Sequence, residues 1–219
     1  MDKVYTFLEE LKKNNNREWF HSNKEAFEKV KAEVRIIFDT IYDELSLIEP
    51  LEPLKVYRIN RDIRFSSDKT PYKTHFSAFV GRKKPHNRGG FYIHIEPQNC
   101  FIGGGFWGPE SSDLLRIRKA INESDELEKI LNNIELKSNF NDLYGTELKT
   151  APKGFSKDHE RVHLLRKKQF LLIKHFDDQT IFEDFFPQQV AQDFQILLPF
   201  FNYMTEVLTT NENGEYLYE

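Results

Sequence analysis

Cysteine is almost missing: the chain has Cys100 alone among 219 residues, so no intrachain disulfide can form and a reducing compartment fits. No apolar run approaches the ~18–20 residues of a membrane span. The opening Met1-Asp2-Lys3-Val4-Tyr5 lacks the basic flank and apolar centre of a secretory leader. These absences point to a cytoplasmic protein without a membrane partner. There is also no internal repeat, low-complexity tract or linker, so residues 1–219 are expected to form one domain.

What is abundant is aromatic surface and charge. Twenty Phe, nine Tyr and two Trp supply a bulky core, and 30% charged residues cover it. The net charge of −4 hides an asymmetry: residues 55–88 hold ten Lys/Arg against Asp62 and Asp68, a local +8 that leaves −12 elsewhere. A basic block on an acidic chain suits a localised anionic partner better than general adhesion to nucleic acid. For Arg82 to Arg88 a solvated charged hairpin is an equally good account.

Periodicity sets the fold class. Asp2 can cap a helix bearing Val4, Phe7, Leu8 and Leu11, which Asn14-Asn15-Asn16 ends. Ser22-Asn23-Lys24-Glu25 has capping-box form, and Phe27, Val30, Val34, Ile37, Phe38, Ile41 and Leu45 mark a helix running to about Leu47, with Trp19 and Phe20 stapling its start. After Pro50 and Pro53 the period changes to two. Strands are expected at Leu54–Phe65, His75–Val80, Phe91–Glu96 and Cys100–Trp107, with a fifth at Arg166–Phe176. Their short connections require antiparallel pairing. Helices follow at Leu114–Ile121 and Leu127–Ile134, then a long loop over 135–163. A terminal helix opens at Pro187 and kinks at Pro199. The expectation is an α+β domain with a mainly antiparallel sheet of four to five strands, flanked by N-terminal, middle and C-terminal helices.

The densest chemistry lies in Arg58-Ile59-Asn60-Arg61-Asp62-Ile63-Arg64-Phe65, followed by Ser66-Ser67-Asp68-Lys69-Thr70-Pro71-Tyr72-Lys73. In an extended segment Arg58, Asn60, Asp62 and Arg64 share one face, while Ile59, Ile63 and Phe65 serve the core. Planar guanidinium forks suit phosphate or carboxylate, with Asp62 and Asp68 holding them and Lys69, Tyr72 and Lys73 returning through a turn. Three readings stand side by side: a site for a small phosphate-containing anion, an interaction surface for an acidic protein or nucleic-acid backbone, and an ion network that only orders the sheet edge.

The string RxxRDxRFxxDKxPYK resembles the hallmark of a mostly bacterial family, the Domain of Unknown Function 2461. The similarity continues in Gly89-Gly90-Phe91-Tyr92-Ile93-His94-Ile95-Glu96-Pro97, Gly103-Gly104-Gly105-Phe106-Trp107, Ile117-Arg118-Lys119-Ala120-Ile121, Pro152-Lys153-Gly154-Phe155, Asp158-His159 and Leu164-Leu165-Arg166. The resemblance implies a single domain spanning nearly the whole chain. It brings no activity and no cofactor.

Other motifs are weaker. Gly103-Gly104-Gly105-Phe106-Trp107-Gly108 satisfies GxGxxG, but no parallel strand follows to make a dinucleotide-binding unit. Gly104 is read instead as admitting a ligand or a neighbouring backbone. His159-Glu160-Arg161-Val162-His163 satisfies HExxH without an apolar helical stripe to support it, so no metal site is assigned there. Relatives resembling the chain often carry Pro at the position of Glu160, which removes the presumed base. Asp158 could orient His159 for proton transfer, with Arg166 binding a substrate anion, or the group could anchor a loop. His21, His75, His86, His94 and His175 show no ligand spacing.

Overall fold

The computed structural model describes residues 2–211 and 213–217; the Asp2 side chain, the cap expected for the first helix, lies outside the described residues. The architecture is α+β, with a five-stranded antiparallel sheet in the order β1 (Lys55–Val56), β2 (Phe76–Gly81), β3 (Gly90–Ile95), β4 (Cys100–Phe106) and β5 (Phe170–Phe176). Helices α1 (Asp2–Lys13), α2 (Arg17–Ser22) and α3 (Lys24–Ser46) precede it. Helices α4 (Ser111–Glu123), α5 (Glu126–Leu131), α6 (Ile134–Asn139) and α7 (Val162–Leu165) lie between β4 and β5. Helices α8 (Phe186–Ile196) and α9 (Leu198–Thr209) follow.

One face of the sheet is apolar because alternate residues point the same way. Phe76, Ala78, Val80, Phe91, Ile93, Ile95, Ile102 and Leu172 are buried in a core shared with α1, α3, α8 and α9. Phe91 meets Phe194 at 4.5 Å and Phe201 at 5.0 Å between ring centroids. The stripes of α1 and α3 fall as their spacing predicts, with Val4, Phe7, Leu8, Leu11, Phe27, Val30, Val34, Phe38, Ile41 and Leu45 buried and Ile37 half-buried against the core.

Six expectations change. The strand over 54–65 shrinks to Lys55–Val56, because β2 begins only at Phe76 and offers no neighbour beyond Tyr57, whose amide donates to the Ser77 carbonyl. Phe65 is consequently 97% exposed instead of serving the core. The strand expected from Arg166 starts at Phe170, after the turn of α7, and the loop from 135 contains α6, whose Asn133 cap accepts from the Glu135 and Leu136 amides. Pro199 marks a break between α8 and α9 where a kink was expected, while Pro187 sits in the first turn of α8 as anticipated. The capping box at Ser22 is also replaced. Asn16 caps the short α2 by accepting from Trp19 N, and Asn23 begins α3 with no side-chain cap.

The buried positive charge of Arg82 was not legible as structure. Its guanidinium donates to both carboxylate oxygens of Glu49 at 3.1 Å, to Asn202 at 2.9 Å and to Thr205 at 3.1 Å, and lies over the Phe201 ring. Arg88 pairs with Asp113. Two cations of the basic block thus lock the β2–β3 turn to α9 and α4.

Candidate functional site

The second face of the sheet carries the other alternate residues. In register across four strands run Ser77, His94, Phe101 and His175; beside them run Phe79, Tyr92, Gly103 and Ile173. Phe79, Tyr92 and Phe101 are half-buried and His175 is exposed, whereas Ser77, His94, Gly103 and Ile173 are buried, so this face is open to solvent in part. Rings tile it: His94 stacks on Phe101 at 4.6 Å, Tyr92 lies 5.8 Å from Phe101, and Tyr57 lies 6.4 Å from Tyr92. Gly103 keeps the middle of the face shallow, since a Cβ there would meet nothing closer than 3.7 Å.

Where this face meets the end of the 57–75 segment, His75, His94 and Glu96 converge. Their ligating atoms all lie within 4.8 Å of one another, and they form the group among the described residues able to hold a metal ion. The imidazole rings are 4.2 Å apart. His94, 7% exposed, contacts Tyr92 Oη through Nδ1 at 3.0 Å and Glu96 Oε2 through Nε2 at 3.2 Å. Glu96 also accepts from Thr74 Oγ1 at 2.8 Å and Asn99 Nδ2 at 2.9 Å.

Burial, with the charges of His94 and the nearby cations, pushes His75 down to about 4, and burial likewise lowers His94 against the opposing pull of Glu96. Both imidazoles are neutral near pH 7. Burial works to raise Glu96, but its hydrogen bonds with Asn99, His94 and Thr74 outweigh it and keep the carboxyl below its ordinary range.

The basic segment reaches this corner by an irregular ladder. Lys73 N donates to Ile59 O at 2.8 Å and Arg61 N to Pro71 O at 2.9 Å, while Asn15 grips both backbone groups of Tyr72 at 2.9 and 3.1 Å. Tyr72 is buried and stacks on Phe20 at 3.9 Å, so its ring is an anchor. Beyond Tyr72 the charges divide. Arg61 pairs with Asp68 and Thr70, Arg64 with Asp62 at 2.7 Å, and Lys69 Nζ donates to Ile63 O at 3.0 Å. The Thr70 amide, Arg61 and the Thr70 hydroxyl hold the Asp68 carboxyl down at about 2. Arg58 and Lys73 differ: neither has a carboxylate within ion-pair distance among the described residues. Lys73 lies 5.1 Å over the Tyr57 ring, and burial, followed by the charge of Arg58, lowers its pKa.

The remaining expected site residues lie elsewhere. Gly104 is on the helix-covered face, where a Cβ would stand 2.3 Å from Leu197 Cδ1; it admits helix packing. Asp158 and His159 share no hydrogen bond. His159 Nε2 contacts Asn122 O at 3.3 Å and its Nδ1 accepts from Arg161 N at 3.0 Å. Buried Arg161 donates to Ile121 O at 2.8 Å. His159 and Arg161 thus close the C-terminus of α4, where free carbonyls and the helix dipole favour donors and positive charge. His163 lies in α7, which is too short to place both histidines on one helical face, and faces Glu128 at 3.7 Å. Arg166 ties the loop through Leu148 O at 2.6 Å and Glu147 at 3.4 Å.

The conserved hypothetical protein family DUF2461 has a model that matches residues 3–203. The chain belongs to this family. No curated protein and no solved structure matches the chain. In this DUF2461 chain the hallmark string therefore builds two things, a self-paired tip at 61–69 and a segment that sets Lys73 over the Tyr57 ring with the charge of Arg58 nearby. Sequence reasoning missed the convergence of His75, His94 and Glu96. The available signal was that His94 and Glu96 share a strand face while His75 lies one alternation before Ser77, the partner of His94.

Proposed function

We propose that the chain binds a small phosphate-containing anion at the corner of the sheet face where Lys73, with Arg58 beside it, approaches the imidazoles. The observation that carries this reading is the half-buried Lys73, held beside the like charge of Arg58; neither forms an ion pair among the described residues, and Arg58 is offset only at longer range by Asp62, which Arg64 already engages. Two positive charges kept together at a cost are stabilised by an incoming anion, and a guanidinium fork with a point-charge ammonium suits a phosphate group. One concavity elsewhere suits an anion poorly. It measures about 700 Å³, lies between α4, α5 and α9, and is lined by Glu123, Glu126 and Glu206.

Calorimetric titration with inorganic phosphate, pyrophosphate and nucleoside diphosphates tests the reading. Lys73→Met and Arg58→Ala should each weaken the best of these about tenfold, the loss of a charge-assisted hydrogen bond. Arg64→Ala, whose guanidinium is occupied by Asp62, should leave affinity unchanged. Equal affinity in all three variants overturns the assignment.

A second reading rests on Phe65, an exposed ring at the tip beside Arg64, 5.9 Å from that guanidinium. A single-stranded nucleic acid could stack a base there and run its backbone along the basic segment. Binding of an oligonucleotide that falls steeply with salt and is lost in Phe65→Ala would favour it.

A further inference from the structure

We infer that His75, His94 and Glu96 form a binding site for a divalent first-row transition ion of the zinc type. Two imidazole nitrogens and one carboxylate oxygen are a donor set such ions take, with a fourth position left for water or an anion. The spacing is suitable. Two ligands about 2.1 Å from a tetrahedral centre stand about 3.4 Å apart, and His94 Nε2 lies 3.2 Å from Glu96 Oε2.

The supports around these donors are those a metal site requires. Tyr92 Oη meets His94 Nδ1, and a hydroxyl can accept or donate. Without metal it donates to Nδ1 while Nε2–H faces Glu96; with metal it accepts from Nδ1–H and frees Nε2 to ligate. Thr74 and Asn99 donate to the carboxylate and orient it without neutralising its charge. His75 comes from the residue before β2, His94 from β3 and Glu96 from the residue after β3, so the site forms only when the hairpin is in register. The cations Lys73 and Arg61 near His75 oppose a bare dication and favour one that carries an anionic fourth ligand. Only that last point rests on the anion reading; the three donors stand without it.

The test is titration of untagged protein with Co(II) in chloride buffer, free of phosphate, followed by visible absorption and by competition with Zn(II). The expected result is one ion per chain with the intense visible bands of a four-coordinate site. His75→Asn and Glu96→Gln should abolish these bands while the far-UV circular dichroism is retained. Tyr92→Phe, which removes the positioning hydroxyl, should weaken Zn(II) about 10–100-fold. Absence of the bands in the wild type, or bands that survive in His75→Asn and Glu96→Gln, overturns the site. His159→Ala with His163→Ala serves as the control for surface histidines and should leave the bands unchanged. Phosphate titrated into protein kept in a chelator reads the anion proposal separately: binding there, with no Co(II) bands, refutes the metal alone.

Discussion

Cys100 shows how burial decides the chemistry of a single side chain. Its thiol lies 2.8 Å from Tyr5 Oη and donates to Glu96 O at 3.0 Å, and burial pushes it up to about 11. A thiol raised in this way stays protonated, and therefore inert, throughout the neutral range. Labelling with a disulfide reagent at pH 8 should accordingly be slow in the native protein and become rapid only when denaturant unfolds it; rapid native labelling would contradict the placement. At the tip of the basic segment, Arg64 and Asp62 are exposed, and exposed pairs contribute little. Arg64→Ala should leave the urea midpoint where it is. Tyr72 and Asn15 behave differently, because they fasten the segment to α1 and α2 through buried contacts.

Among the elements, β4 separates the two faces of the sheet within adjacent glycines. Gly104→Ala places a methyl group 2.3 Å from Leu197 and should cost about 1–3 kcal/mol as an overpacked core position. Gly103→Ala points to the open face, where its nearest neighbour is 3.7 Å away, and should leave stability unchanged or slightly higher, since glycine in a strand pays extra backbone entropy. Urea denaturation of the two variants distinguishes the faces; equal losses would mean the register is wrong. The β2–β3 turn depends on Arg82, 2% exposed, bonded to Glu49 and α9. Arg82→Met leaves Glu49 without its partner and should cost about 3 kcal/mol, read by the same denaturation.

At the scale of the molecule, one hydrophobic core runs from α1 and α3 through the sheet to α8 and α9. Trp19 packs 5.8 Å from Phe7 at the N-terminal end, whereas most helical signal comes from the chain as a whole. With a shared core, tryptophan fluorescence and far-UV circular dichroism should report coincident unfolding transitions. Separate midpoints would divide the chain into two units. Among the described residues no helix is long and apolar enough to cross a membrane.

Helical stripes, antiparallel pairing and the family membership were legible in the order of residues, because each depends on spacing within one element or on a contiguous string. Phe27, Val30, Val34 and Phe38 could only share a face of one helix. The site was legible in part. The sequence pointed to the segment from Arg58 to Lys73, yet only the tertiary structure decided that Asp62 takes Arg64 and Asp68 takes Arg61, while Arg58, Lys69 and Lys73 form no ion pair among the described residues. It likewise turned HERVH from an apparent metal motif into a cap on α4, and brought His75 to His94 and Glu96 from places the sequence leaves unconnected. Local periodicity is set by backbone geometry, whereas ion pairing and ligand convergence depend on strand register and on which face of the sheet the helices cover.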